Sequence, residues 1–327
     1  MFSSRARPKH LTLLRHYRKL AFYALRRFEG DNYAQVRRYF ADVFISEVGR
    51  FVDLDGMSLV DVGGSRGEFS ATLEARRNMR CVNVDIDVQD AVFRRSVVAS
   101  GGQLPFRGGE FDVYLSRGAI EHVPPVLQQA FLHEAQRVLK PGGVAYVMTQ
   151  PWYAPHAGHQ FRLFHYFPIR IARALKNPFT KQDLSGSTWA DAHLYPLTYR
   201  RVLSLIQNAG LTYVTGLDTH LKLHFLASHP VLREVGMMSV AFICRKPDVG
   251  PPNEPAHSAQ GSGATRCTGD GKPVRKSPTA RLGRAGRAAM GLRAPQSHFR
   301  SHLRPDRVVT LAPSQTVSLR RPACRAR

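Results

Sequence analysis

The feature that most constrains this chain is the junction LVDVGGSRGEF at residues 59–69, where a short apolar run passes through three glycines into an amphipathic stretch. Gly63, Gly64 and Gly67 permit turn dihedrals and a close backbone approach that side chains obstruct, so a ligand can sit against the main chain there. The same rhythm continues with CVNVDID, FDVYLS at 111–116, an amphipathic stretch near 124–139, and VAYVMTQ at 144–150 after the turn at Pro141–Gly143. Short runs buried on both faces and separated by helical crossovers specify an α/β fold with a mostly parallel sheet and helices on each side. Regularity returns after residue 195 with a helix at about 197–208, a strand near 211–216 and the apolar run MMSVAFICR at 237–245. The two late strands are expected to pair as an edge hairpin, adding an antiparallel edge strand to a three-layer α/β/α sandwich.

The pattern divides the chain into three parts. Residues 1–30 hold the basic amphipathic stretch LTLLRHYRKLAFYALRRF, in which Leu14, Tyr17, Ala21, Leu25 and Phe28 fall on one helical stripe while Arg15, Lys19 and Arg26 face away. Such a helix either packs its stripe on the domain, with the basic side in solvent, or lies on an anionic membrane. Residues 31–246 form the folded domain. It opens with a helix at 31–50 that carries Tyr39, Phe40, Val43 and Phe44, and an aromatic, histidine-rich segment near 151–195 interrupts it as a substrate cap. Residues 247–327 are a basic tail with too little apolar material to repay ordering, and disorder is expected.

Of the net charge of +23, residues 1–28 and 247–327 carry most, and the domain between them is left with a small excess. A nucleic-acid enzyme would concentrate that excess in its folded cleft, so contact with nucleic acid is expected only through the tail. Cys81 and Cys244 lie in strand-like runs as small hydrophobes, and Cys267 and Cys324 suggest no disulfide framework. With no apolar run long enough to span a bilayer and no secretory leader pattern, the expected location is the cytoplasm; the membrane reading of the N-terminal helix would place the protein peripherally at the inner membrane surface. The oligomeric state is not legible.

The glycine loop matches neither the dinucleotide spacing nor the GK[ST] ending of a nucleotide-triphosphate loop. Asp85 stands eighteen residues beyond Gly67 at the end of the next run, where a carboxylate can accept both hydroxyls of a ribose. Asp87 is read as a cap or a solvent-facing acid. Taken in order, LVDVGGSRG, VDID, GGQLPFRGGEFDVYLSRGAIEHV and FLHEAQRVLKPGG resemble the class I S-adenosylmethionine-dependent methyltransferases, over about residues 38–150 and more weakly to 246. That resemblance implies a Rossmann-like fold with a seven-stranded sheet and S-adenosylmethionine as cofactor. It assigns Asp61 to support of the glycine loop and methionine moiety, and Gly63, Gly64, Ser65 and Gly67 to the amino-acid part. Asp85 with Ile86 goes to the ribose side, and Ser100, Gly101, Gln103 and Leu104 to the adenine side. Ser116 and Arg117 pass beneath the methionine. Ser65 replaces the usual central glycine, and Ser100 replaces the family's adenine-binding acid. Arg117 either reaches substrate or crosses the mouth to solvent, and His122 is read as structural or cofactor-adjacent.

The segment PWYAPHAGHQFRLFHYFP at 151–168 places His156, His159 and His165 among six aromatic residues, a mixture suited to an aromatic wall with polar orienting groups. A neutral histidine suits proton removal from an acceptor hydroxyl, and His159, preceded by Ala157–Gly158, is the first choice of base, with His156 and His165 behind it. Their spacing also permits zinc, but no Cys or acidic cluster accompanies them, so no metal is expected. Asp191 and His193 form a second polar patch that could orient a substrate. The leading function is therefore O-methylation of a small-molecule, glycan or lipid-linked hydroxyl. A nucleic-acid methyltransferase is a rival weakened by PWY, where an Asn-Pro-Pro-aromatic or Asp-Pro-Pro-aromatic pattern would hold a base amine. A noncatalytic cofactor-binding or scaffold protein is the other.

Overall fold

The computed structural model describes residues 13–26, 32–88, 91–159, 161–177 and 187–248. Seven strands, β1 Ser58–Val62, β2 Arg80–Asp85, β3 Ser96–Val98, β4 Phe111–Arg117, β5 Leu139–Thr149, β6 Thr212–Asp218 and β7 Val240–Arg245, form one sheet. Their order is β3-β2-β1-β4-β5-β7-β6. The first five pair in parallel, as their two-sided burial requires, and β7 runs antiparallel to both β5 and β6. The reversed strand thus lies one place in from the edge and β6 closes the sheet; the late hairpin exists, entered from its outer strand.

Helices cover both faces. On one side α4 (Pro125–Val138) and α6 (Tyr199–Asn208) pack Phe131, Leu132, Val202 and Leu205 against Val60, Tyr114, Val147 and Phe242. On the other, α2 (Asn32–Val48) and α3 (Glu68–Arg77) pack Phe44, Val48, Phe69 and Leu73 against Leu59, Cys81, Leu115 and Tyr146. Cys81 and Cys244 are buried free thiols, as expected of small hydrophobes in strands. From β1 the chain winds outward to β2 and β3, then returns to lay β4 on the other side of β1. That reversal opens a crevice at the carboxyl ends of β1 and β4, the place where open α/β sheets bind ligands.

An N-terminal helix, α1 (Leu13–Arg26), precedes this body, and a cap follows β5 with a 3-10 turn at Arg162–Tyr166 and helix α5 (Ile169–Lys176). A four-residue helix, α7 (Leu232–Val235), lies near the start of α6, where Glu234 accepts the backbone N–H groups of Tyr199 and Arg200. No helix among the described residues is long and apolar enough to cross a membrane. The tail assigned to 247–327 lies, from residue 249 onward, outside the described residues.

Candidate functional site

The crevice is a cleft of about 360 Å³ lined by Gly63, Asp85, Ile86, Ser100, Gly101 and, from the turn after β4, Gly118, Ala119, His122 and Val123, with Leu127 and Phe131 of α4 as an apolar wall. The glycine loop is shaped for it. Gly63 has φ +79°, and a Cβ there would stand 2.4 Å from that of Ala119. Ser65 occupies the family's glycine position at φ +54°, in the left-handed region, and is held there from two sides. Its N–H donates to Asp85 Oδ2 at 2.7 Å, and its carbonyl accepts Asn83 Nδ2 at 2.9 Å. Asn83, fully buried in β2, was missed as a site residue; the polar side chain inside CVNVD was its signal.

Asp85 stands at the end of β2 in the cleft wall. Its Oδ1 accepts the Asp87 N–H at 3.3 Å, leaving lone pairs on both oxygens for a ligand. Beside it Ile86 is 78% exposed, a bare aliphatic platform at the cleft edge. Asp61 lies below the loop rather than in the cleft: it is buried and accepts Ser70 Oγ at 2.9 Å. Burial pushes its carboxyl up to about 6, against the pull of Arg37 and of the Ser70 hydrogen bond. Arg37 of α2 was also missed. It donates to the Gly64 carbonyl at 2.7 Å and places Nε 3.4 Å from Glu68 at the start of α3, tying α2 to the glycine loop. An arginine beside Arg38 in a helix 26 residues before Gly63 gave no pattern to find it by.

Several expected contacts fall elsewhere. Gly64 and Gly67 shape the loop from behind the cleft, Gly67 with φ +81° at the start of α3. Ser100 Oγ accepts the Gly102 N–H at 3.3 Å beside Gly101 in the wall, but Gln103 is exposed and absent from the lining. Leu104 points into the core, its N–H held by Glu134 at 2.6 Å, because the chain must turn inward there to begin β4. Ser116 is fully buried in β4. Arg117 does not cross the mouth to solvent: its guanidinium lies buried 4.2 Å from the Phe40 ring centroid and 5.8 Å from that of Phe69, and burial lowers its pKa.

The three cap histidines separate. His165 is a packing residue, with Nε2 2.9 Å from the Trp152 carbonyl and its ring between Trp152 and Tyr166. His156 turns toward His220, ring to ring at 5.9 Å. Only His159 approaches the cleft. Its Nε2 stands 3.4 Å from Glu121 Oε1, and its ring centroid lies 4.8 Å from that of His122, which lines the cleft. A backbone φ of +47° aims it there, so the freedom expected of the preceding Gly158 is taken up by His159 itself. The zinc spacing noted within the cap is therefore not assembled.

Glu121, the other half of the IEHV motif, was the residue overlooked beside His122. It is buried, accepts Thr149 Oγ1 at 3.0 Å through Oε2, and turns Oε1 to His159. Burial alone would raise its pKa, but hydrogen bonding to His159, with the charges of His159 and His122, holds it below the usual carboxylate value. His122 Nδ1 donates to the His193 carbonyl at 2.6 Å, and the Tyr195 N–H donates to the Glu121 carbonyl at 2.8 Å. These bonds fasten the returning end of the cap over the turn. Asp191 plays no part in that closure. It caps the Ser187 and Thr188 N–H groups of its own turn, and those bonds lower its pKa. Glu121, His122 and His159 bring one ligand atom each within 4.8 Å, a set that could also hold a metal ion.

Residues 60–147 match the methyltransferase domain family. An uncharacterized methyltransferase of Mycobacterium leprae (strain TN) is 30% identical over 200 residues, covering 58% of this chain and 72% of that protein. One from Mycobacteroides abscessus is 28% identical over 264 residues, covering 75% and 97%. A third, from Mycobacterium sp. (strain JLS), is 39% identical over 118 residues, or 34% of this chain and 46% of the relative, so that match spans about half the relative's length.

Proposed function

Because the chain belongs to the class I S-adenosylmethionine-dependent methyltransferases, we propose that it transfers a methyl group to a hydroxyl of a small-molecule, glycan or lipid-linked acceptor, with His159 as base. The observation that carries this reading is the pairing of His159 with buried Glu121 beside the cleft.

The cleft fits the cofactor. Asp85 offers free lone pairs to a ribose diol, Ile86 and Leu127 offer apolar surface to a flat base, and the Gly63 backbone admits the amino-acid end without a side chain in the way. Bound there, S-adenosylmethionine supplies a methyl group already electrophilic on its sulfonium. The protein's part is alignment, which supplies much of the rate in such a displacement, together with removal of the acceptor's proton. Glu121 faces His159 Nε2, positions the ring and offers a negative charge beside the imidazolium formed when Nδ1 takes up the proton. His122, locked by His193, shapes the wall between them, and the cap aromatics Trp152 and Trp189, 5.2 Å apart in an edge-to-face pair, brace the segment that carries His159.

Methyl-labelled cofactor and a metabolite extract would identify the acceptor by product mass. On that acceptor, His159→Ala should lower turnover about 10²–10⁴-fold while sparing cofactor affinity, because base assistance belongs to the transfer step. Asp85→Ala should do the reverse, weakening cofactor binding by about 1.5–3 kcal/mol, the scale of a charged hydrogen bond. His165→Ala, removing a packing group, should cost stability more than turnover. A loss below threefold for His159→Ala, or activity abolished by a chelator and restored by a divalent ion, would replace the base with a metal held by Glu121, His122 and His159.

A further inference from the structure

Helix α1 docks with the wrong face for a helix held by its apolar stripe. His16 and Tyr23 are buried, and Lys19 lies over the Tyr39 ring at 4.6 Å. His16 Nε2 donates to the His220 carbonyl at 2.6 Å, its Nδ1 accepts from the Tyr39 hydroxyl, and Tyr17 donates to the Leu221 carbonyl at 2.6 Å. These polar bonds, with Tyr23 and the half-buried Leu20 packed on the domain, hold the helix, and its other leucines point outward: Leu14 is 71% exposed and Leu25 84%, with Leu13 exposed beside them. Arg15 and Arg18 are exposed on the flank of this surface, and α1 contains no acidic residue.

The cap repeats the arrangement. Helix α5, IRIARALK, buries Ile169 and Ala172, exposes Ile171, Leu175 and Arg170, and also lacks an acid. His156 of the cap packs against His220, whose carbonyl anchors α1, so cap and helix meet at the same loop. A second copy of the chain is a poor partner for this face, because a twofold contact would set the arginines of one α1 against those of another. An anionic bilayer complements both features, taking leucine side chains below its headgroups and arginines at them.

From the outward stripe and its all-basic flank we propose that α1, supported by α5, seats the protein on an anionic membrane surface. This does not depend on the methyl-transfer reading. The test is flotation of the full-length protein with vesicles of mixed phosphatidylglycerol and phosphatidylcholine, and with vesicles of phosphatidylcholine alone. The substitutions Leu14→Gln and Leu25→Gln, made together at exposed positions, leave the basic tail intact and should leave the melting temperature unchanged. Expected are binding to the anionic vesicles only, affinity about tenfold weaker in the double variant, and a smaller loss for Ile171→Gln with Leu175→Gln. Equal flotation of wild type and double variant would overturn the proposal and move any vesicle contact to the tail. Absence of flotation would overturn it as well, as would a double variant that loses self-association while binding vesicles unchanged.

Discussion

At the scale of single residues, the buried carboxyl of Asp61 couples the glycine loop to pH. Its value of about 6 lies above the ordinary 3.8, so below pH 3.8 it is protonated in both states and its stabilising contribution is fully present. As pH climbs, the unfolded chain ionises first, and the contribution is lost by the time pH passes about 6, at a cost of at most about 3 kcal/mol. Asp61→Asn keeps the shape without the ionisation. Its stability relative to wild type should therefore rise between about pH 4 and pH 7, measured by urea unfolding at each pH, and a difference that stays flat would contradict the origin given to the shift. Asp85 and the glycines were legible because strand ends and turn dihedrals are written locally. Glu121 was not: its role comes from His159, 38 positions away, and no spacing rule joins a turn after β4 to a cap after β5.

Elements bring their own couplings. Helix α2 was visible from its apolar positions, yet its contribution to the site is Arg37, the bridge to the Gly64 carbonyl and to Glu68. Removing that guanidinium leaves buried Glu68 with the more exposed Arg66, also at 3.4 Å, as its ion-pair partner among the described residues. Arg37→Met should lower stability by about 1.5–3 kcal/mol and loosen cofactor binding, since the loop loses a carbonyl anchor. Adding Glu68→Gln should recover part of the stability loss, and a double-mutant cycle by chemical unfolding measures the coupling. Strict additivity would mean that the pair contributes nothing. For α1, the stripe of Leu14, Tyr17, Ala21 and Leu25 was read correctly from its period, but which side faced the protein was decided by His16 meeting Tyr39 and the His220 carbonyl. Periodicity defines a face; the partner surface decides where it points.

For the whole molecule, the sheet lies within residues 58–245 and both of its cores within residues 20–246, with Lys246 still bonded to Gly143 at 2.9 Å. A chain ending at Asp248 should keep a cooperative melt and full cofactor affinity, checked by calorimetry and titration; loss of both would make the tail part of the fold. The sheet also separates what could be read from what could not. Apolar runs, the glycine junction and the acids at strand ends determined an α/β sheet with a cofactor cleft, because burial on two faces and left-handed turns restrict residue type at each position. The place of β7 inside the edge, the burial of Leu104 and Arg117, the separation of His156, His159 and His165, and the outward stripe of α1 were decided only by tertiary structure. Each depends on which distant surface reaches a side chain first, and in a close-packed interior that is set by the relative placement of whole elements.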